Sequence, residues 1–320
     1  MTVNINQGDM YCGMSVLQFL QSLSLSSKTI KYLKYTPNGI SVNGDQVTVR
    51  YVLRGGDSIT LLIEDEELSE IIEPLDVPID IVYEDSEVLV ANKPPFMPTH
   101  QSHGHHGDTL ANALAFRFQK LGVPFIFRPI NRLDRNTSGL VIVAKNKFSA
   151  AKLSEAMKLK QIKKSYIAYL DGYLEDPIKP VEYMEMSVGV IDRPIRRIEK
   201  SIILRAVCSP TDQCAESALT YYRIIKRSAA CTIVEAFPQT GRTHQLRVHF
   251  ASLGHPIIGD DLYGKKSDLI CRHALHARSL TFPLSNPIGS LDKEARSIHL
   301  EAPLPEDMSQ LNEIFFTKEK

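Results

Sequence analysis

The sequence offers little to a membrane or to a redox cofactor. No apolar stretch approaches membrane-spanning length, and the opening Met-Thr-Val-Asn-Ile-Asn has neither a basic flank nor an apolar signal core. A cytoplasmic protein with no membrane partner is the expectation. Its five cysteines, Cys12, Cys208, Cys214, Cys231 and Cys271, are odd in number and contain no Cys-x-x-Cys, which argues for reduced thiols. No Gly-x-Gly-x-x-Gly follows a strand pattern and no phosphate-loop signature occurs, so no cofactor is expected. Net charge is absent too. Lys+Arg and Asp+Glu number 37 each, which over the whole chain argues against a nucleic-acid partner.

The distribution of charge argues the other way. Residues 1–79 carry 5 Lys+Arg against 10 Asp+Glu, leaving 32 against 27 for residues 80–320. Within 131–166 nine basic residues (Arg132, Arg135, Lys145, Lys147, Lys152, Lys158, Lys160, Lys163, Lys164) face only Asp134 and Glu155. Such a local excess attracts phosphates while the rest of the surface stays neutral; a solvated helix face is the alternative for the lysines. At 320 residues and 43% hydrophobic content the chain can bury a full core and still carry a smaller second domain.

The chain is organised around Pro129 to Lys147. One carboxylate, Asp134, stands between Arg132 and Arg135, followed by Asn136, Thr137, Ser138, Gly139 and the apolar run Leu140 to Ala144. That run predicts a strand covered on both faces, with Asp134 on the loop entering it. Guanidinium neighbours favour the carboxylate, so Asp134 reads as a nucleophile or electrostatic partner, with an ordinary loop salt bridge as the plainer alternative.

Elsewhere, Val16, Leu17, Leu20 and Leu23 recur at helical spacing, and Ser26 or Ser27 can cap a second helix with Lys28, Lys31 and Tyr35 on its outer face. Ile40 to Asp45 predicts a strand and an Asn-Gly hairpin turn, and Gly55-Gly56-Asp57 a turn into a strand from Ser58 to Ile63. Glu64 to Glu67, with Pro74 and Pro78, reads as a solvated linker. Strands are expected at 81–83 and 88–91, then a helix capped by Asp108. His100, His103, His105 and His106 lie in a Gly-rich loop without a carboxylate or thiolate companion, so a solvated loop is expected and no metal. Asn146 should cap a helix with lysines outward, Lys164 to Gly172 form a strand, and 184–200 form an exposed basic loop around Arg193, Arg196, Arg197 and Lys200. Ala215–Arg227 and Cys231–Phe237 pair as a hairpin. Thr243 should cap a helix presenting Leu246, Phe250 and Leu253.

Arg-Leu-Asp-x-x-Thr-Ser-Gly-Leu before a hydrophobic strand resembles the catalytic motif of the RluA/RluD-type RNA pseudouridine synthases. Lys164-Ser-Tyr-Ile-Ala resembles their Lys-x-Tyr-x-Ala segment, and residues 240–247 match their Thr-Gly-Arg-Thr-His-Gln-x-Arg signature. Asn92-Lys-Pro, 257–264 and 272–283 resemble further segments. Asn131 replaces the usual His, and Phe96 a usual Gly. The resemblance implies an α+β pseudouridine-synthase fold whose mixed, largely antiparallel central sheet is flanked by helices. Residues 1–63 resemble a small S4-like RNA-binding module, though with only lysines and a tyrosine on the helix where that family is arginine-rich. A packing domain that no longer binds RNA is the alternative; 64–78 is then the linker and 79–320 the catalytic domain.

By the same resemblance Asp134 is the nucleophile, Arg242 pairs with it, and Tyr166 stacks on the target uracil and assists late proton removal. Arg132 fills the gap left by the extruded base. Arg135, Lys164, Leu246, Arg247, Lys28 and Lys31 are the further RNA contacts. The implied partner is RNA, ribosomal first and transfer RNA second, bound by a monomer. A catalytically weak RNA-binding or ribosome-assembly protein on the same fold is the rival. A glycoside or nucleoside hydrolase would need a second site carboxylate, and no motif supplies one beside Asp134.

Overall fold

The computed structural model describes residues 2–23, 25, 27–62, 72–101, 107–283 and 297–316. The first layer comprises β1 (Thr2–Asn4), α1 (Val16–Ser22), α2 (Ser27–Tyr35), β2 (Ile40–Val42), β3 (Asp45–Gln46) and β4 (Ser58–Leu61), in a sheet of order β1-β4-β2-β3. Its hairpin turn falls where Asn43-Gly44 predicted, both residues at positive φ, as a two-residue loop on right-twisted strands requires. Val3, Phe19, Leu20, Leu33 and Ile59 form a core that also takes in Phe148 from the larger layer. Ser26, Ile63, the acidic run 64–67 and His103, His105 and His106 lie outside the described residues. Within the expected linker, residues 73–75 are exposed or half-buried yet tied to Asn112 by two hydrogen bonds. The Leu75 N–H donates to the Asn112 carbonyl, and the Asn112 side chain donates to the Glu73 carbonyl.

The larger layer runs β5 (Asp80–Glu84), β6 (Val88–Lys93), α3 (Leu110–Lys120), β7 (Ser138–Ala144), α4 (Lys147–Lys158), β8 (Lys163–Asp171), β9 (Val181–Tyr183) and β10 (Met186–Asp192). It continues through β11 (Ile195–Arg197), β12 (Arg205–Val207), β13 (Leu219–Arg227), β14 (Cys231–Pro238), α5 (Gln245–Ser252), β15 (Leu275–Pro283), β16 (Ser297–Glu301) and α6 (Glu306–Phe316). Among the described residues ten strands form one sheet of order β5-β6-β7-β15-β8-β14-β13-β10-β9, with β16 added to β15, and β7 with β15 is its one parallel pairing. Every residue of β7 is buried, as its unbroken apolar run requires.

Three local expectations are corrected. Thr109, not Asp108, caps α3, because its hydroxyl and the Asn112 amide three residues on satisfy each other's backbone N–H groups. From Asp108 the reciprocal position would be Ala111, which has nothing to offer. Thr243 does not cap α5. His244 holds the cap position at φ 57°, and Gln245 Oε1 accepts the Arg242 N–H instead. The basic segment 184–200 is mostly strand rather than loop: it holds β10, which pairs with β9 and β13, and β11, which pairs with β12, with Arg193 between them. Arg193 is bound to Ser252, Arg196 to Asp212, and Arg197 to the Ser201 carbonyl.

Strand register builds the site. Gly139 on β7 lies opposite Ala277 on β15, Ala277 opposite Tyr166 on β8, and Tyr166 opposite Ala236 on β14. One row across the sheet therefore aligns the exit of the Asp134 loop, Tyr166, and the entry to the 239–247 segment. Gly139 has φ 112°, and an added Cβ would stand 2.2 Å from the Ala277 carbonyl oxygen.

Two outcomes follow for stability. Gly139→Ala should lower unfolding free energy by at least about 2 kcal/mol in urea titration, because backbone strain and a backbone clash coincide. Buried His249, His273 and His276 are pushed by burial to about 4, 3 and 4. Their folded values lie below the ordinary ~6.5, so their contribution is complete above that pH and is lost as pH falls toward 4. Between pH 6.5 and 5 the slope of stability against pH should shrink by roughly one proton in His276→Gln.

Candidate active site

The loop carrying Asp134 is pinned on both sides of the carboxylate. The Asn131 side chain donates to the Leu140 carbonyl (3.1 Å) and accepts the Ile142 N–H (2.8 Å). The Thr99 hydroxyl donates to the Leu133 carbonyl (2.9 Å) and accepts the Leu133 N–H (3.1 Å). The Thr137 N–H closes a turn on the Asp134 carbonyl. Arg272, bidentate to Asp307 of α6, donates to the Asn136 carbonyl.

Lys93, completely buried, directs its ammonium at the carbonyls of Pro94, Met97 and Arg135, 2.8–3.2 Å away. Burial pushes it down to about 7, against the pull of the Asp134 charge. Three carbonyl acceptors suit a cation with three N–H donors and nothing to accept.

The Asp134 carboxylate receives Arg247, not Arg242. Arg247 Nη1 lies 3.3 Å from Asp134 Oδ2, while its Nε and Nη2 grip Asp260 at 2.7 and 2.8 Å. Burial works against the Arg247 charge, and Asp260 and Asp134 more than offset it, raising its pKa. Asp260 is itself fully buried, yet its carboxyl is held below the usual range by Arg247. Arg242 instead donates to Glu216 (2.8 Å) and to the Ser217 carbonyl (2.9 Å). The reason is geometric. The left-handed turn at His244 separates Arg242 from α5, whereas Arg247 lies on the helix itself, among residues buried on every side.

A cleft of about 460 Å³ opens over this arrangement, lined by Asp134, Tyr166, Lys164, His244, Leu246 and Arg247 among others. Its size suits a nucleoside-sized group. Arg132, Arg242 and His100 also border it. Arg132 is exposed and reaches the Thr243 hydroxyl at 3.5 Å, and Arg135 donates to the Phe96 carbonyl outside the cleft. Tyr166 is buried, and burial together with the Asp134 charge raises its phenol well above the usual value. It is a neutral, flat wall of the cleft rather than a ready base. Lys31 is exposed on α2, which also carries Lys28.

The structure thus brings Asp134, Tyr166, Leu246, Lys164 and Arg132 together and moves Arg247 from expected RNA contact to partner of the aspartate. Sequence reasoning missed Lys93, His244, Asp260, Tyr263 and Arg272. Asp260 stands in Gly-Asp-Asp-Leu-Tyr-Gly, which by sequence reads most simply as a turn, with Asp260-Asp261 as a metal pair the alternative. The one hint was a charged residue standing beside apolar ones in segments such as Ala91-Asn-Lys-Pro.

Among the described residues no helix is long and apolar enough to cross a membrane. The family model described as RNA pseudouridylate synthase matches residues 87–252, which include Asp134, Tyr166 and Arg247. An uncharacterised RNA pseudouridine synthase of Bacillus subtilis is 37% identical over 298 residues, covering 93% of this chain and 98% of that protein. A ribosomal large subunit pseudouridine synthase D of Buchnera aphidicola is 32% identical, over 80% of this chain and 79% of its own length. The solved structure of human RNA pseudouridylate synthase domain containing 1 superposes with a TM-score of 0.55 at 27% identity, covering 72% of this chain and 86% of that one. Matched over half its length by the family model and nearly end to end by a relative, the chain belongs to the RNA pseudouridylate synthases, isomerases that turn uridine into pseudouridine within RNA.

Proposed function

We propose that this synthase acts on a specific uridine of structured RNA, large-subunit ribosomal RNA first, with Asp134 as nucleophile and the target nucleotide turned out of its stack. The observation that carries the reading is one carboxylate, held by a buried guanidinium, beside a buried tyrosine in a nucleoside-sized cleft. Relatives named ribosomal large subunit pseudouridine synthase D support the choice of RNA. Asp134 and Tyr166 line a recess, and a base inside a helix cannot reach one without leaving its stack.

In the reaction the bond from ribose C1′ to uracil N1 breaks, the base turns, and C1′ joins C5. The C5 proton departs and N1 ends with an N–H, so no external group is consumed. Asp134 acts on the ribose or base and Arg247 orients it. Tyr166 and Leu246 pack against the uracil. A raised phenol does not suit Tyr166 to proton removal. Arg132 at the mouth takes the space of the extruded base, with Lys164 and Arg135 toward the backbone phosphates. The layer of residues 1–63 serves as an S4-like module joined by 64–78 to a catalytic domain of 79–320. Lys31 and Lys28 on α2 are its RNA contacts, and the reading places the protein in the cytoplasm.

Tritium release from RNA transcripts carrying [5-3H]uridine tests the chemistry. Asp134→Asn should release none while folding normally; release at the parental rate would defeat the role of Asp134, whereas a parent that binds RNA and releases none would favour the catalytically weak binder. Arg247→Met should abolish release and also cost about 3–5 kcal/mol in denaturant titration, because it leaves Asp260 buried and unpaired. Arg242→Met loses a half-exposed ion pair with Glu216 and a hydrogen bond to the Ser217 carbonyl, and should cost about 1 kcal/mol, well below Arg247→Met.

A further inference from the structure

A second group beside Asp134 has its chemical state fixed by its neighbours. The Arg205 backbone N–H donates to the Tyr263 oxygen (3.0 Å), and Tyr263 stands 2.8 Å from His244 Nδ1. With its oxygen already accepting the Arg205 N–H, and Nδ1 the one acceptor in reach among the described residues, the phenol is placed to donate to Nδ1. An imidazole accepting at Nδ1 and neutral overall carries its hydrogen on Nε2. Burial drives the His244 pKa down, and Arg247 and Arg205 add to that push, outweighing Asp134 and Asp260, so the ring is neutral at physiological pH.

Among the described residues the Nε2–H has no partner within hydrogen-bond distance. Asp134 Oδ2 lies 3.8 Å away, beyond hydrogen-bond range, and that oxygen already holds Arg247. The donor therefore remains open to the cleft that His244 lines. His244 also keeps a left-handed backbone without being glycine, a strained conformation of the kind retained at functional sites.

We propose that His244, held by Tyr263 as the Nε2–H tautomer, donates that hydrogen to a carbonyl oxygen of the target uracil. The proposal rests on the reading of Asp134 as the reacting carboxylate. Uracil offers O2 and O4 as acceptors, and both gain negative charge once the bond from N1 to C1′ breaks. A neutral donor fixed in place strengthens its bond as that charge develops, which lowers the barrier rather than merely tightening binding. No proton is transferred; His244 stays neutral throughout. Its partner Tyr263 touches no substrate and acts as a positioning residue.

Single-turnover tritium release from [5-3H]uridine-labelled large-subunit ribosomal and transfer RNA transcripts, at saturating enzyme, tests this beside filter binding of the same RNAs. His244→Ala should slow release roughly 100-fold with binding unchanged. His244→Gln, whose amide places an N–H near the same point, should be faster than His244→Ala. Imidazole 15N spectra of the parent should show His244, assigned by its loss in His244→Gln, as the Nε2–H form, and Tyr263→Phe should mix the tautomers while slowing release. His244→Ala at the parental rate, a defect confined to binding, or an Nδ1–H imidazole in the parent would overturn the proposal while leaving the Asp134 chemistry intact. A parent protein releasing no tritium from either RNA would remove that chemistry and the proposal with it.

Discussion

One guanidinium, buried between two carboxylates, sets the geometry of the site. Arg247 gives its two short bonds to Asp260 and a single longer one to Asp134. A buried ion pair is poor evidence of stability, since desolvation consumes most of the attraction, and an apolar pair of equal volume would serve the core as well. What it supplies here is position. Asp260 fixes the guanidinium plane, so the remaining N–H can point at Asp134 without closing on it. Two negative charges share one positive charge, and the carboxylate facing the cleft is oriented without being neutralised. The second carboxylate therefore belongs to the scaffold, unlike the separated pair of a glycosidase, where both flank the scissile bond.

Such an arrangement needs distant segments brought into one place, and the sheet does this. Asp134 precedes β7, Tyr166 lies on β8, Arg247 follows β14 on α5, and Asp260 lies between α5 and β15. The row Gly139–Ala277–Tyr166–Ala236 puts small residues on both neighbours of the tyrosine. A side chain at 139 would push β7 from β15 and carry the aspartate loop with it. Tertiary hydrogen bonds complete the placement. The carbonyls of residues 133, 135 and 136 each accept a donor from elsewhere in the fold, and that of Asp134 is met by Thr137 within its own turn.

The sequence disclosed whatever is local. β7 was legible because the unbroken apolar run Leu140 to Ala144 suits a strand covered on both faces, and all seven of its residues are buried; the hairpin was legible because Asn43-Gly44 is the dipeptide that tolerates two successive positive φ values. Asn146 capping α4 was equally plain. The choice between Arg242 and Arg247 was not legible. Both lie in the same signature, five residues apart, and only the left-handed turn at His244 decides which one faces inward. Asp260 was hidden for a similar reason, since a turn aspartate and a buried anchor look alike until the partner is known. α6 gave no signal, yet its Asp307 orients the arginine that steadies the loop.

Two departures from the family pattern bear on whether the site is intact. Asn131 replaces a usual His, but its amide supplies one donor and one acceptor to the β7 backbone, the same inventory as a neutral imidazole. The loop entering β7 therefore has a complete set of bonds at that point. Phe96 replaces a usual Gly, yet its φ is 66°, the left-handed conformation that glycine adopts freely and that costs another residue about 1–2 kcal/mol. The bend is imposed by its surroundings. Lys93 grips the carbonyls of Pro94 and Met97 on either side, and Arg135 donates to the Phe96 carbonyl at the apex. The same ammonium holds the Arg135 carbonyl, so the strained turn and the aspartate loop share one anchor. A vestigial site would have little reason to keep a buried lysine and a strained phenylalanine in register with a carboxylate, and both departures leave the groups around Asp134 undisturbed.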